Sequence, residues 1–346
     1  MRGVAAAILT GALSASSAVA QSPVLTTAKS IHQLPLDRAA TGIPVHIERL
    51  HTLVYLDAWH GLFTTDSTHG IFIRTPTAMR LNIRPGSLLR VTGKTGPGEF
   101  APVIVATTVE VTGEEPLPPP RRVSIEHIST GAEDGQWVEV ECTIRGVTTR
   151  ANNSLLAMSC GSGWSRIEIL STDADLDRAK RLIGSRARVR AAAGPVFNQR
   201  KQVVGVNLYA PSLAYIGVVK PAPADLFSLP VRPVSDVRAY VPGSTFDDPV
   251  HIRATVTAVW PGKGIFATDG VQGISLPAPR EFDPQPGDVI DAVGFPSLGD
   301  SIQSLQDAIF RPAGHSARMP EPKAASIDEA NLGAYEAELV RMNGRL

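Results

Sequence analysis

The feature that most constrains the fold is an ordered internal repeat. Val45-His46-Ile47-Glu48-Arg49-Leu50 is answered by Val250-His251-Ile252-Arg253-Ala254-Thr255, and Gly61-Leu62-Phe63-Thr64-Thr65-Asp66 by Gly264-Ile265-Phe266-Ala267-Thr268-Asp269. Gly70-Ile71-Phe72-Ile73 returns as Gly273-Ile274-Ser275-Leu276, and Pro85-Gly86 with Val91-Thr92-Gly93 as Pro286-Gly287 with Ala292-Val293-Gly294. Matches kept in order and spacing mean that one supersecondary unit has been used more than once. A divergent copy lies between them: residues 138–142 alternate like the first strand, 165–170 like a later one, and 184–189 take the place of the Pro-Gly strand.

Within each copy, short alternating runs bounded by Gly, Pro, Asn and Asp indicate about five strands and little helix. So short a sheet must curl to bury one face and hide its edges. The expected fold is therefore all-β: tandem small five-stranded Greek-key barrels of the OB type, with an SH3-like barrel as the alternative that fits the same pattern. Each copy follows a leader of one or two helical turns, at Ser30-Ile31-His32-Gln33-Leu34, Ser124-Ile125-Glu126-His127-Ile128 and Val234-Ser235-Asp236-Val237-Arg238. A fourth leader, Ser326-Ile327-Asp328-Glu329-Ala330, precedes residues 340–346, which alternate as a first strand should. Without strand partners that tail has unmet backbone groups, so it is disordered, docked on copy three, or paired with another chain.

Proline-rich joints at 116–120, 221–223 and 320–322 favour extended spacers and mark the boundaries. The expected division is a signal peptide at 1–20, module 1 at 24–115, a divergent module 2 at 121–219, module 3 at 231–315, and the leader and first strand of an incomplete module 4 at 324–346. The signal peptide rests on Met1-Arg2, an apolar stretch at 4–13 and Ala18-Val19-Ala20, with cleavage after Ala20, which predicts a periplasmic or secreted protein. The apolar stretch is too short for a bilayer of about 30 Å, and no later stretch nears the ~20 apolar residues of a spanning helix.

Lys plus Arg equal Asp plus Glu at 33 each, and aromatic residues make up 5%, so neither a basic field nor a long stacking platform speaks for nucleic acid. Cys142 and Cys160 lie in strand-like runs of one module and suit a structural disulfide in an oxidising compartment. Two buried thiols are the plainer alternative, and the spacing lacks the ligands of a zinc site. No nucleophile elbow, Walker loop or zincin motif is present, so neither catalytic residues nor a cofactor or metal is expected. Ser159-Cys160-Gly161-Ser162-Gly163 reads as a turn, Asn198 to Lys201 as a polar hairpin tip, and His46 and His251 as exposed strand-face residues. Asp66 and Asp269 recur in one loop; a single carboxylate is too few oxygens for calcium, and a turn-stabilising bond to the backbone is favoured. Trp59 and Trp260 stand just before the Gly-Leu/Ile-Phe strand, beside the usual binding face of an OB barrel. They are the candidate ligand-binding residues, or else they plug the barrel mouths.

The run from the first leader through Pro44-Val45-His46-Ile47, Leu62-Phe63-Thr64-Thr65-Asp66, Gly70-Ile71-Phe72-Ile73, Pro85-Gly86, Val91-Thr92-Gly93 and Phe100-Ala101-Pro102 resembles the tandem extracytoplasmic modules at the N-terminus of certain bacterial sensor histidine kinases. The resemblance covers nearly all of the mature chain and implies a sensory input or spacer region of a two-component system. It also implies partners among small periplasmic ligands, periplasmic proteins or other modules of the same sensor. The chain carries no dimerisation helix with a phospho-accepting His and no ATP-binding boxes, so it is either part of a longer sensor or a use of the module elsewhere. The same Leu-Phe-x-x-Asp and Gly-Ile signature resembles OB modules attached to secreted nucleases, and the alternative function is a secreted OB-type binding protein for oligosaccharide or nucleic acid.

Overall fold

A computed structural model describes residues 23–76, 82–150, 155–161, 166–173, 175–200, 202–279, 282–297 and 302–344. The expected signal peptide lies outside the described residues, as do Ser162, Gly163, Ser165, Lys201, Arg345 and Leu346. After α1 (Ala28–His32) and α2 (Leu36–Ala39), module 1 consists of β1 (Pro44–Leu56), β2 (Gly61–Thr65), β3 (Gly70–Arg74), β4 (Ser87–Gly96) and β5 (Val103–Glu114). They close into a barrel in the order β1-β2-β3-β5-β4, with β3 and β5 parallel and every other neighbour antiparallel. The alternation noted in sequence sends Val45, Ile47, Leu50, Leu62, Ile71, Ile73, Leu89, Val91 and Ile104 into one core.

Module 2 repeats this order with β7 (Trp137–Arg150), β8 (Leu155–Cys160), β9 (Ile167–Ser171), β10 (Arg186–Phe197) and β11 (Val203–Ala210), closed by the pairing of β10 with β7. Its helices are α3 (Ile125–Ser129) before the barrel and α4 (Leu176–Lys180) between its third and fourth strands. Two further strands extend the expected five to seven: β6 (Arg121–Arg122) on β7 and β12 (Ile216–Lys220) on β10. They escaped the sequence reading because each is a short run on a sheet edge, without alternation. Module 3, with β13 (Val250–Trp260), β14 (Gly264–Thr268), β15 (Gly273–Pro277), β16 (Asp288–Pro296) and β17 (Leu305–His315), has the order β15-β14-β13-β16-β17. A parallel bridge between Ser275 of β15 and Ser304, just before β17, brings the two outer strands of this order together. The fold is thus a tandem of OB-like β-barrels with short leader helices.

The tail is docked on module 3, one of its three expected fates. It forms β18 (Lys323–Ala324), α5 (Ile327–Asn331), with a capping box between Ser326 and Glu329, and β19 (Val340–Arg341). In every copy the segment before the leader pairs parallel with the first strand: Leu25 with Val45, Arg121 with Val138, Val231 with His251, and Lys323 with Val340. The recurring aspartates tie the leader down. Asp66 Oδ1 accepts from the backbone N–H of Thr68 (2.7 Å) and His69 (2.9 Å), while Oδ2 accepts from Ala28 N (2.8 Å) at the start of α1. Asp269 does the same with Val271, Gln272 and Val234 at 3.0, 2.9 and 2.8 Å. Burial opposes its charge, but these backbone donors hold the Asp269 carboxyl below its ordinary value.

Cys142 and Cys160 form a disulfide between β7 and β8, Cα atoms 5.9 Å apart, inside the apolar core of module 2. The expectation for His251 is corrected. His46 is on the surface, but His251 is 2% exposed, its Nδ1 2.8 Å from the Leu229 carbonyl and its Nε2 3.4 Å from Asp291. The proline-rich segment 229–233 folds over β13, a tertiary cover that the strand pattern does not encode.

Candidate functional site

The joints between modules differ in chemistry. Modules 1 and 2 share an apolar cluster, with Leu53, Val54, Leu56 and Phe63 from one side and Trp137, Leu155, Ala157, Leu170, Ala192 and Tyr209 from the other. Gly70 makes the approach possible, because a Cβ there would lie 1.9 Å from the Gly135 carbonyl oxygen. Gly273 meets Ala337 O of the tail in the same way, at 2.1 Å. Both glycines are contact points between one barrel and the segment that follows the leader of the next. Modules 2 and 3 meet through charge instead. Arg145, fully buried, donates from Nη2 to Phe246 O (2.9 Å) and Asp247 Oδ1 (3.0 Å) and stacks on Phe295, while Arg166 Nη2 donates to Asp307 Oδ1 (2.7 Å).

Beside the apolar joint a cleft of about 240 Å³ remains open. From module 1 it takes Trp59 in the β1–β2 loop, Phe63, Phe72 and Arg74 on β2 and β3, and Glu99, Phe100 and Ala101 in the β4–β5 loop. These are the surfaces by which OB barrels generally bind, the second and third strands with the 1–2 and 4–5 loops. From module 2 come Asp134, Gly194, Pro195, Phe197 and Tyr209. One barrel supplies the binding face and the next roofs it.

The local sequence fixes Trp59. It ends a single 3-10 turn (Asp57–Trp59), after which His60 adopts φ 46° and turns the chain into β2. Tyr55 Oη donates to Asp57 Oδ1 (2.8 Å), and the His60 carbonyl accepts from Thr75 N (2.9 Å). Trp59 is 46% exposed and meets Tyr209 edge-on at 5.8 Å. Phe63 stacks on Tyr209 at 4.8 Å and meets Phe72 edge-on at 5.0 Å. A Cβ at residue 194 would be 2.9 Å from the Phe63 ring, so Gly194 lets that ring in.

Two titrating groups face the aromatics. Desolvation pushes the Asp134 carboxyl up to about 6, with the Gly135 backbone N–H acting in the other direction. By surface area Asp134 is only half-buried; its crowding by apolar neighbours in the cleft is what weakens the charged form. Desolvation, then the nearby Asp134 charge, raises the Tyr209 phenol to about 12, against a hydrogen bond with Asn207.

Trp260 is not part of this arrangement. It is 51% exposed at the end of β13 and carries Lys263 Nζ 4.2 Å above its ring. The equivalence of the two tryptophans holds for position in the barrel and not for surroundings. The sequence reading missed Phe197, Tyr209 and Asp134, which lie 138, 150 and 75 positions from Trp59. Among the described residues, no group of three or more His, Cys, Asp and Glu side chains comes together as a metal site, and no helix is long and apolar enough to cross a membrane.

No family model and no curated protein matches the chain. Among solved structures, an aspartyl tRNA synthetase from Entamoeba histolytica is similar at 17% identity and TM-score 0.25, over 39% of this chain and 31% of that one. The HIN2 domain of tetrameric p202 matches at 12% identity and TM-score 0.23, covering 51% of this chain and 90% of the domain. A murine DNA binding protein bound with double-stranded DNA matches at 9% identity and TM-score 0.24, over 47% of this chain and 86% of that one. The chain therefore spans less than a third of the synthetase's length.

Proposed function

We propose that this chain is a non-catalytic, extracytoplasmic binding array in which modules 1 and 2 together take up a small ligand. One observation carries the reading: the face by which an OB barrel generally binds is roofed by the next module, leaving a cleft of about 240 Å³ lined by Trp59, Phe63, Phe72, Phe100, Phe197 and Tyr209. That space equals roughly eight water volumes at ~30 Å³ each, below the ~300–1,000 Å³ of drug-sized pockets. It suits a small molecule. The even balance of charge supports the same choice.

The signal-peptide pattern at residues 1–20 supports an extracytoplasmic location, and the resemblance to sensor-kinase input modules supports a sensory role, in which occupancy of the cleft would be felt at the module 1–module 2 joint. Calorimetric titration of residues 21–346 against a panel of small periplasmic solutes tests the binding reading. Trp59→Ala is expected to abolish the heat signal and Trp260→Ala to leave it intact; binding indifferent to Trp59→Ala overturns the assignment of the cleft. The sensory role is tested separately by the natural reading frame after Leu346. A frame encoding neither a membrane span nor a kinase core would remove it.

A further inference from the structure

Resting on the cleft as a ligand site, we infer that the ligand is a small organic cation of the methylated or quaternary ammonium class. Six aromatic side chains surround the space, and two carboxylates, Asp134 and Glu99, outnumber the one guanidinium, Arg74. Aromatic faces are negative and attract ammonium groups within about 6 Å, most strongly where water is excluded, which is why cages of this make-up suit cations that cannot donate hydrogen bonds. A neutral sugar would use the same stacking surface. It would, however, want several hydrogen-bonding partners beneath its hydroxyls, whereas the module 2 side of the cleft offers Gly194, Pro195 and Phe197 beside one carboxylate, Asp134, and a Tyr209 hydroxyl already engaged by Asn207.

Asp134 gives the inference a second, separable signature. A bound cation lying against a carboxylate favours its charged form, so binding draws the proton off Asp134 and weakens as pH falls through about 6. The other ionisable groups near it are Glu99 in the β4–β5 loop, Arg74 on β3, Tyr209 on β11, and Glu168 on β9, which raises Tyr209 as Asp134 does. Glu133, adjacent in the chain, is engaged elsewhere, with Arg121 (3.0 Å) and His127 (2.7 Å), and His69 in the β2–β3 turn is held by Gln136 at 2.8 Å. Asp134 is thus the half-buried, desolvated carboxylate of module 2 that lines the cleft.

The test is calorimetric titration of residues 21–346 with choline and with its neutral carbon isostere, 3,3-dimethylbutan-1-ol. Choline is expected to bind at least about tenfold more tightly at pH 7.5, a preference of about 1.4 kcal/mol that falls severalfold by pH 5. Asp134→Asn should remove both the preference and its pH dependence while keeping the isostere's affinity; Arg74→Met should strengthen choline alone. A separate arm with phosphatidylcholine vesicles tells a lipid headgroup from a free solute, and binding to either supports the cation class. Equal affinity for choline and the isostere, lost together in Trp59→Ala, would refute the cation inference and leave the cleft as a ligand site. Binding of neither would remove both.

Discussion

Gly70→Ala should break the joint between modules 1 and 2. The new methyl carbon would stand 1.9 Å from the Gly135 carbonyl oxygen and 2.5 Å from its carbon. Those are backbone atoms, so no rotamer change relieves the clash, and the two modules must separate by more than about 1 Å, which close-packed interfaces do not absorb. Such a shift loosens the shared cluster around Phe63, Trp137 and Tyr209, where each large side chain returned to water costs about 1.5–3 kcal/mol. Overpacking alone costs about 1–3 kcal/mol, so a loss near 3 kcal/mol is expected, or roughly 6–12 °C for a unit of about 200 residues. Differential scanning calorimetry with limited proteolysis across residues 116–120 reads both melting and opening of the joint. Gly273→Ala serves as an internal comparison, since its methyl would meet Ala337 O and loosen only the tail. A Gly70→Ala protein that melts within about 1 °C of the parent and keeps its protease protection would refute this account of the joint.

Acid should weaken the same region first. Desolvation, then the charge of stacked His69 (ring centroids 4.2 Å), lowers His32 to about 4 in the folded state. The stability linked to neutral His32 is therefore complete above its ordinary value of 6.5 and fades as pH falls towards 4; we expect about 1–2 kcal/mol after solvent screening, and a flatter pH profile of melting in His32→Gln. In module 3, the Arg253 hydrogen bond first, helped by Arg311 against the cost of burial, holds Asp291 down at about 2. That contribution is present above about pH 4 and lost towards pH 2, amounting to ~2 kcal/mol, and Asp291→Asn should remove the acid-sensitive step from the module's urea-unfolding midpoint. Reduction of Cys142–Cys160, which closes a loop of sequence separation 18, should lower module 2 by about 3 kcal/mol in denaturant titration; an unchanged midpoint would mean that the bond constrains little.

The barrels were legible because the interior of a five-stranded barrel is written by alternation, and Val45, Ile47, Leu62, Ile71, Leu89 and Val91 keep it. The aspartate turns were legible in kind, although their hold on Ala28 and Val234 was not, since a backbone N–H is the same in every sequence. What stayed hidden were outward faces that other segments cover. Phe63 sits on an exterior strand face and reads as surface until Tyr209 arrives against it. For that reason His251 was misplaced and the contact of Gly70 went unseen: the neighbours that explain them, the carbonyl of Leu229 and Gly135, come from other stretches of chain. Of the cleft, Trp59 was legible from its loop, and the roof was not.

The unlike chemistry of the two main seams has a mechanical consequence. Burial of apolar surface changes little with added salt, whereas a charged seam softens as ionic strength rises to the extent that its pairs meet solvent, as the partly exposed Arg166–Asp307 pair does and the enclosed Arg145 does not. Under tension in brine the strand should therefore yield between its second and third beads, and the first two would travel as a single piece with the ligand cradle whole between them.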